Sequence, residues 1–307
     1  MKKLFLTVLI AWPAFASAAA VKLVLNWKPE AEFGGFYAAQ LNGAFKKEGL
    51  EVEILPGGVG TPAVQMVAAG QAEFGIAAAD EVVVSRDRGS DVMALYAVYQ
   101  TNPQALMVRA DRSVTKLEQL MQSGILAVQR GLPYFLFLEK KFGKAKAKVV
   151  PYLGGVAQLA ENPLVAQQCF LTSEPIIAKQ KNLAVKTFLI ADAGFNPYAT
   201  VVVVKREYWE KNQTTAQAFR RAIDAGWKDY LKSPKAANEV MHKLNPSMDL
   251  ATLEASAQIQ KPLIETEATR KFGLGSMQDS RWNELSIVLK ALNQVRTIKP
   301  PDQYYLK

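Results

Sequence analysis

Two stretches decide the fold: VMALYAVYQTNPQALMV at residues 92–108 and FLIADAGFNPYATVVVV at residues 188–204. Each is apolar and β-rich at both ends, with a polar or turn-like middle, residues 100–103 in one and 192–198 in the other. Neither middle has the length or periodicity of a helix, so each reads as a strand that leaves one sheet and continues directly into another. Such a pair of crossovers makes one lobe discontinuous, residues 19–100 plus 200–307, and the other an insertion, residues 101–199. The pair then acts as a hinge with the ligand cleft between the lobes. The simpler alternative is two sequential domains divided near residue 150.

Outward from these stretches, strand and helix alternate with short connections. Residues 21–27 read as a strand, 35–47 as a helix stopped by Gly49, and 50–55 as a strand ended by Pro56-Gly57-Gly58. Thr61-Pro62 reads as cap and first residue of a helix reaching Gly70. A strand at 74–78, a helix at 80–88 and a strand at 92–99 complete the series. A second series follows: a helix capped by Ser113, a strand at 125–129, a helix at 133–142, a strand at 148–151, a short helix at 156–161, a strand end at 169–171 and a helix at 175–181. The pattern predicts an α/β fold of two lobes, with parallel sheets covered by helices on both faces. Beyond Glu207 only helical periodicity remains, at 214–231, 234–244, 250–259 and 280–292, which predicts a helical C-terminal region.

The chain has 307 residues, 50% of them hydrophobic, and 37 Lys and Arg against 28 Asp and Glu, a net charge of +9. This composition is globular, not disordered. Cys169 and His242 are the single cysteine and the single histidine. They exclude a disulfide framework, a CxxC redox pair and His/Cys zinc sites, while an all-carboxylate site stays open. The basic residues are dispersed, and their densest run, residues 140–148, reads as a solvated helix end and loop. No nucleic-acid partner is expected.

Lys2 and Lys3, the mostly apolar run 4–12 and the small residues 16–20 have the three-part layout of a secretory signal peptide, with cleavage after Ala18. The apolar run is too short to span a bilayer, and no cysteine follows it for lipid attachment. The expected product of residues 1–18 being removed is a soluble exported protein in a periplasm.

Asn26-Trp27-x-Pro29, Phe33-Gly34-Gly35-Phe36-Tyr37-Ala38-Ala39 and Gly43-x-Phe45-Lys46-Lys47-Glu48-Gly49-Leu50-Glu51-Val52 resemble the start of periplasmic substrate-binding proteins of ABC importers. The likeness is greatest to the branch that includes binders of thiamine pyrimidine precursors and alkanesulfonates and the related thiamine-pyrimidine synthase. Gly70-Gln71-Ala72-Glu73-Phe74-Gly75-Ile76 is similar to that family's G-x-A-D-x-G turn, with Glu73 where Asp is usual. The resemblance implies a type II periplasmic binding protein that closes around a small molecule, with a permease and its ATPase as partners. The synthase carries a Cys-rich motif and a site histidine. A single Cys and a His242 in the helical tail depart from it, so no catalytic residue, metal or cofactor is expected.

In open α/β sheets ligands sit at the carboxyl ends of strands, and candidate ligand-binding residues are taken from there. Asn26 and Trp27 end the first strand, and the indole offers a stacking face. Phe33, Gly34 and Tyr37 surround the next helix start, where Gly34 permits close backbone approach to a ligand or simply a tight turn. Thr61 is a cap or a ligand hydrogen-bonder. In Asp80-Glu81, Asp80 reads as the N-cap and Glu81 as the free carboxylate. Gln129, Tyr152 and Glu174 follow strands of the inserted lobe. Glu174 can accept two N–H donors from an aminopyrimidine edge, as the resemblance also implies, or act as a helix N-terminal carboxylate beside Pro175. Tyr198 is a second stacking face opposite Trp27. The expected function is capture of a small nitrogenous heteroaromatic by a monomeric binding protein. A synthase-like enzyme, or a binder of a sulfonate or a flavin-like ligand, is the alternative.

Overall fold

The computed structural model describes residues 18–307, so the expected signal peptide lies almost wholly outside the described residues. Ten strands form two five-stranded sheets. They are β1 (Ala19–Val24), β2 (Leu50–Leu55), β3 (Phe74–Ala77), β4 (Val92–Tyr99), β5 (Gln104–Arg109), β6 (Ile125–Ala127), β7 (Lys148–Val150), β8 (Val165–Phe170), β9 (Val185–Leu189) and β10 (Ala199–Lys205). One sheet has the order β2-β1-β3-β10-β4 and the other β7-β6-β8-β5-β9. Helices pack on both, which gives the periplasmic-binding-protein arrangement of two α/β halves.

The sheets are mixed, which corrects the expectation of parallel ones. β1 pairs parallel with β2 and β3, but β10 runs antiparallel to both β3 and β4. Likewise β6 is parallel to β7 and β8, while β5 is antiparallel to β8 and β9. The physical reason lies in the connections. A βαβ unit turns the chain through a helix and restores strand direction. The segments from β4 to β5 and from β9 to β10 hold no α-helix, so each crossing strand enters the far sheet against the grain.

The two crossovers are stitched to each other. Asn102 donates its backbone N–H to Asn196 Oδ1 at 2.8 Å and its side-chain amide to the Pro197 carbonyl at 3.1 Å. Asn102 Oδ1 in turn accepts from the Gln104 N–H at 2.9 Å. The helix Leu250–Ile264 ties the halves at one side: the Leu263 carbonyl accepts from the Gln100 and Thr101 N–H groups, and Thr252 donates to Gln180 Oε1 at 3.0 Å.

Local differences from the sequence reading follow turn chemistry. The helix expected at 35–47 is two, Gly34–Leu41 and Ala44–Lys47, split at Gly43, whose φ of 73° no other residue type adopts as cheaply. The helix after Thr61 is Ala63–Ala68 with Pro62 at the cap, because Thr61 Oγ1 accepts from Gly58 N–H instead, at 2.8 Å. The helix expected from Ser113 starts only at Leu117. In the C-terminal region Leu250–Ile264 runs past the expected end, through Pro262, and a further helix covers Glu267–Phe272.

The packing that positions the site is between helices Gly34–Leu41 and Gln213–Lys232. A Cβ on Gly34 would stand 2.1 Å from the Tyr230 ring, one on Gly35 2.2 Å from Trp227, and one on Gly226 2.2 Å from the Gly35 carbonyl. Three hydrogens in place of side chains let the backbones meet. Phe74 stacks on Phe219 at 3.9 Å, and Phe36 meets Trp227 edge-on at 5.7 Å. Among the described residues no helix is long and apolar enough to cross a membrane.

Candidate ligand-binding site

The segments leaving the carboxyl ends of β1, β7 and β8 meet in one region, and its chemistry is acidic and aromatic. Leaving β1, Asn26 is half-buried and Trp27 is 36% exposed. The Trp27 indole donates to Glu30 Oε1 at 3.1 Å. Pro29 turns the chain and its carbonyl is held by Asn245 Nδ2 at 3.1 Å. The next residues, a short 3-10 turn Ala31–Phe33, carry Glu32.

From the other half come Tyr152, after β7, and Glu174, the first residue of the helix Glu174–Gln180. The Tyr152 hydroxyl donates to Glu174 Oε1 at 2.5 Å, and the Phe170 N–H donates to Glu174 Oε2 at 2.8 Å. Below them Tyr99 donates to Gln260 Oε1 at 2.6 Å, and Gln260 donates to the Ala31 carbonyl at 3.0 Å.

Electrostatics join the halves. Burial pushes Glu30 up to about 7, with the Glu174 charge adding to the rise and hydrogen bonds from Trp27 and Ser173 and the Lys28 charge opposing it. Glu32 is held well above the ordinary carboxylate range by burial and by the charges of Glu30 and Glu174. Burial also raises Glu174, against the hydrogen bonds of Tyr152 and Phe170. Three half-buried carboxyl groups, Glu30 and Glu32 from one half and Glu174 from the other, therefore feel one another's charge. Such a group is relieved by protons, by positive charge or by N–H donors. Among the described residues no three of His, Cys, Asp and Glu are arranged to hold a metal ion.

Of the residues predicted from sequence, Asn26, Trp27, Tyr152 and Glu174 are brought together here. Gln129, after β6, is held by Gln168: its backbone N–H donates to Gln168 Oε1 at 2.7 Å and its side-chain oxygen accepts from Gln168 Nε2 at 3.1 Å. The six others have structural work. Phe33 and Tyr37 are 0% and 2% exposed in the core, and Gly34 serves helix packing against Tyr230 in place of ligand approach. Tyr198 is 2% exposed, 6.0 Å from Trp282 and beneath the Arg281 guanidinium, so its ring is no open stacking face opposite Trp27. Thr61 closes the 57–60 loop. Glu81, expected to be free, accepts the Ala78 N–H at 2.7 Å, and Ala78 takes the N-cap position expected for Asp80. Asp80 is instead a half-buried carboxyl pushed up to about 7 by burial and by Glu81. Cys169 is buried with its thiol pushed well up, which leaves it inert.

Sequence reasoning missed the weight of Glu30 and Glu32. The available signal was their place, two acids within five residues of a strand-ending Trp. Tyr99 and Gln260, 161 residues apart, left no such signal.

This chain is similar to named proteins on two levels. It is 24% identical over 283 residues to the riboflavin-binding protein RibY of Chloroflexus aurantiacus, covering 88% of this chain and 80% of that one. It is 21% identical over 278 residues to the formylaminopyrimidine-binding protein of Halalkalibacterium halodurans, covering 86% and 83%. In three dimensions it matches the periplasmic aliphatic sulphonate binding protein SsuA of Escherichia coli with a TM-score of 0.72, at 11% identity and over 94% and 92% of the two chains. That last likeness speaks for the fold. A family model described as NMT1/THI5 like matches residues 30–237, most of the chain and both sheets, and on that ground the chain belongs to the NMT1/THI5-like family.

Proposed function

We propose that this protein is the solute-binding component of an ABC import system, and that it captures a small nitrogenous heteroaromatic molecule between lobes 19–100 plus 200–307 and 101–199. The observation that carries this reading is the meeting of Glu30 and Glu32 from one sheet with Glu174 from the other, beside Trp27 and Tyr152. An aminopyrimidine or flavin-like edge supplies N–H donors to those carboxylates, and its ring supplies a face for the indole. Each donor offsets the partial desolvation of an acid, so the ligand binds the closed arrangement better than the open one, and that difference drives closure. The names of the two sequence relatives support a nitrogen heterocycle. A sulfonate fits poorly, since a fixed anion would meet three carboxyl groups.

Closure presents the liganded form to a permease with its ATPase, and no catalyst is needed. Export by the signal peptide of residues 1–18 places the protein in the periplasm, which cell fractionation of the full chain checks. The decisive experiment is mass spectrometry of ligand released from natively purified protein, followed by calorimetry with riboflavin, a hydroxymethyl-aminopyrimidine and an alkanesulfonate. Binding of the sulfonate alone would overturn the reading. Release of a chemically altered ligand after one turnover would favour the synthase-like alternative.

A further inference from the structure

Thr200 has a φ of 48°, in the left-handed region where a β-branched residue is an outlier. It sits one residue inside β10. On the β4 side Ala199 pairs with Tyr99 and Val201 with Ala97, and on the β3 side Val201 pairs with Ala77. Thr200 therefore faces Val98 one for one, with no extra residue to place. A β-bulge, the usual reason for a left-handed strand residue, does not account for it; the irregularity in this ladder lies further on, between Val202 and Val203.

What the unusual backbone changes is direction. Side chains of a regular strand alternate between faces, so Ala199 and Val201 should share one. They pack instead into two different core clusters, Ala199 with Tyr99 and Val202, and Val201 with Ala97 and Val203. Among the described residues the Thr200 hydroxyl has no hydrogen-bond partner, and the residue is 7% exposed.

The place is equally specific. β10 runs antiparallel to its neighbours, so its first residues lie at the carboxyl ends of β3 and β4, on the floor of the site. Continuing the register sets Thr200 opposite Ala78, two residues before Asp80, and next to Tyr99 on the other flank. Both sides of the kink are anchored: the Tyr198 carbonyl accepts from Ala79 N–H at 3.0 Å, and Val201–Val204 are paired on both edges. Strain held this firmly at a site edge is characteristic of ligand clamps.

We propose that Thr200 is a ligand-contacting residue, its backbone strained so that the hydroxyl faces the cleft floor and hydrogen-bonds a polar edge of the heteroaromatic ligand. This rests on the binding reading above and adds to it a neutral donor-acceptor opposite the carboxylates, so the ligand must carry a carbonyl, ring nitrogen or hydroxyl on the edge turned away from its N–H groups.

The test uses Thr200→Ser, Thr200→Ala and Thr200→Gly in the full chain, with riboflavin and a hydroxymethyl-aminopyrimidine as probes. For the probe the wild type binds, Thr200→Ala weakens affinity by about tenfold without lowering Tm, and Thr200→Ser restores it to within about twofold. In ligand-free protein Thr200→Gly raises Tm by about 2 °C, because glycine takes the left-handed backbone without strain. Unchanged affinity in Thr200→Ala while Trp27→Ala still loses binding overturns the proposal and leaves the binding reading standing. A lowered Tm in ligand-free Thr200→Gly also overturns it. If the wild type binds neither probe, the binding reading fails and this contact fails with it.

Discussion

The two walls of the site are built differently. The wall carrying Trp27, Glu30 and Glu32 leads into helix Gly34–Leu41, which is locked to helix Gln213–Lys232 by Gly34, Gly35 and Gly226, each in contact closer than a Cβ allows. The wall carrying Tyr152 and Glu174 rests on a smaller cluster of Ala105, Met107, Ala127, Val156, Leu159, Val165, Cys169 and Ala178. The loop after its Tyr152 ends in Gly154 and Gly155, at φ of 86° and 62° with open space around both. One wall therefore holds its acids in place through core packing, while the other holds Glu174 mainly through the hydrogen bonds of Tyr152 and Phe170. A rigid face and an adaptable face suit the proposed closure on a ligand.

The sharpest way to break this contrast is to disturb the glycines. Gly35→Ala drives a methyl group into the Trp227 ring and should cost about 3 kcal/mol or more in urea unfolding. Gly154→Ala meets nothing and should cost about 1 kcal/mol, from its left-handed backbone alone. Equal losses would show that the two walls are not different in kind.

Binding comes next in size. Trp27→Ala and Glu174→Ala should each weaken the natively bound ligand by about tenfold, or about 1.4 kcal/mol, in calorimetry. Unchanged affinity in both would move the site elsewhere.

The acids also predict a pH dependence. Glu30 and Asp80 are pushed up to about 7 when folded, so the folded state holds protons that the unfolded chain releases near pH 4. The stability they contribute is present below that range and is lost as pH rises through about 7. Ligand-free Tm should therefore fall between pH 5 and pH 8. Glu30→Gln should flatten that slope, and an unaltered slope would place the titrating groups elsewhere. Asp87, held down to about 2 by the Arg296 and Thr297 backbone N–H groups, loses its contribution only in strong acid and lies outside this window. The smallest effect expected is that of Asn102→Ala, about 1 kcal/mol in Tm-derived stability for the lost crossover bonds.

Much of the fold was legible in residues 92–108 and 188–204, because apolar strands flanking a helix-free turn leave few ways to continue a chain. Strand direction was not, since antiparallel insertion of β5 and β10 depends on how short crossovers reach a distant sheet. That Trp27 and Glu174 stand at strand ends was legible from sequence, and the structure brings the segments carrying them together. Tyr198 misled, because an aromatic residue beside a turn looks the same in sequence whether it meets ligand or, as here, Trp282 and Arg281. Gly34 misled similarly: a glycine before a helix does not say whether a ligand or Tyr230 occupies the space.

By itself the sequence determined what is local or countable: alternating strands and helices, a helical C-terminal region, and a single Cys and His too few for the common metal and redox sites. Only the tertiary structure decided which acids feel one another's charge, Glu30 and Glu32 from one half and Glu174 from the other, and that Thr200 takes a left-handed backbone inside β10. Those facts arise from contacts between residues far apart in the chain, where burial and charge add across elements that no local pattern connects.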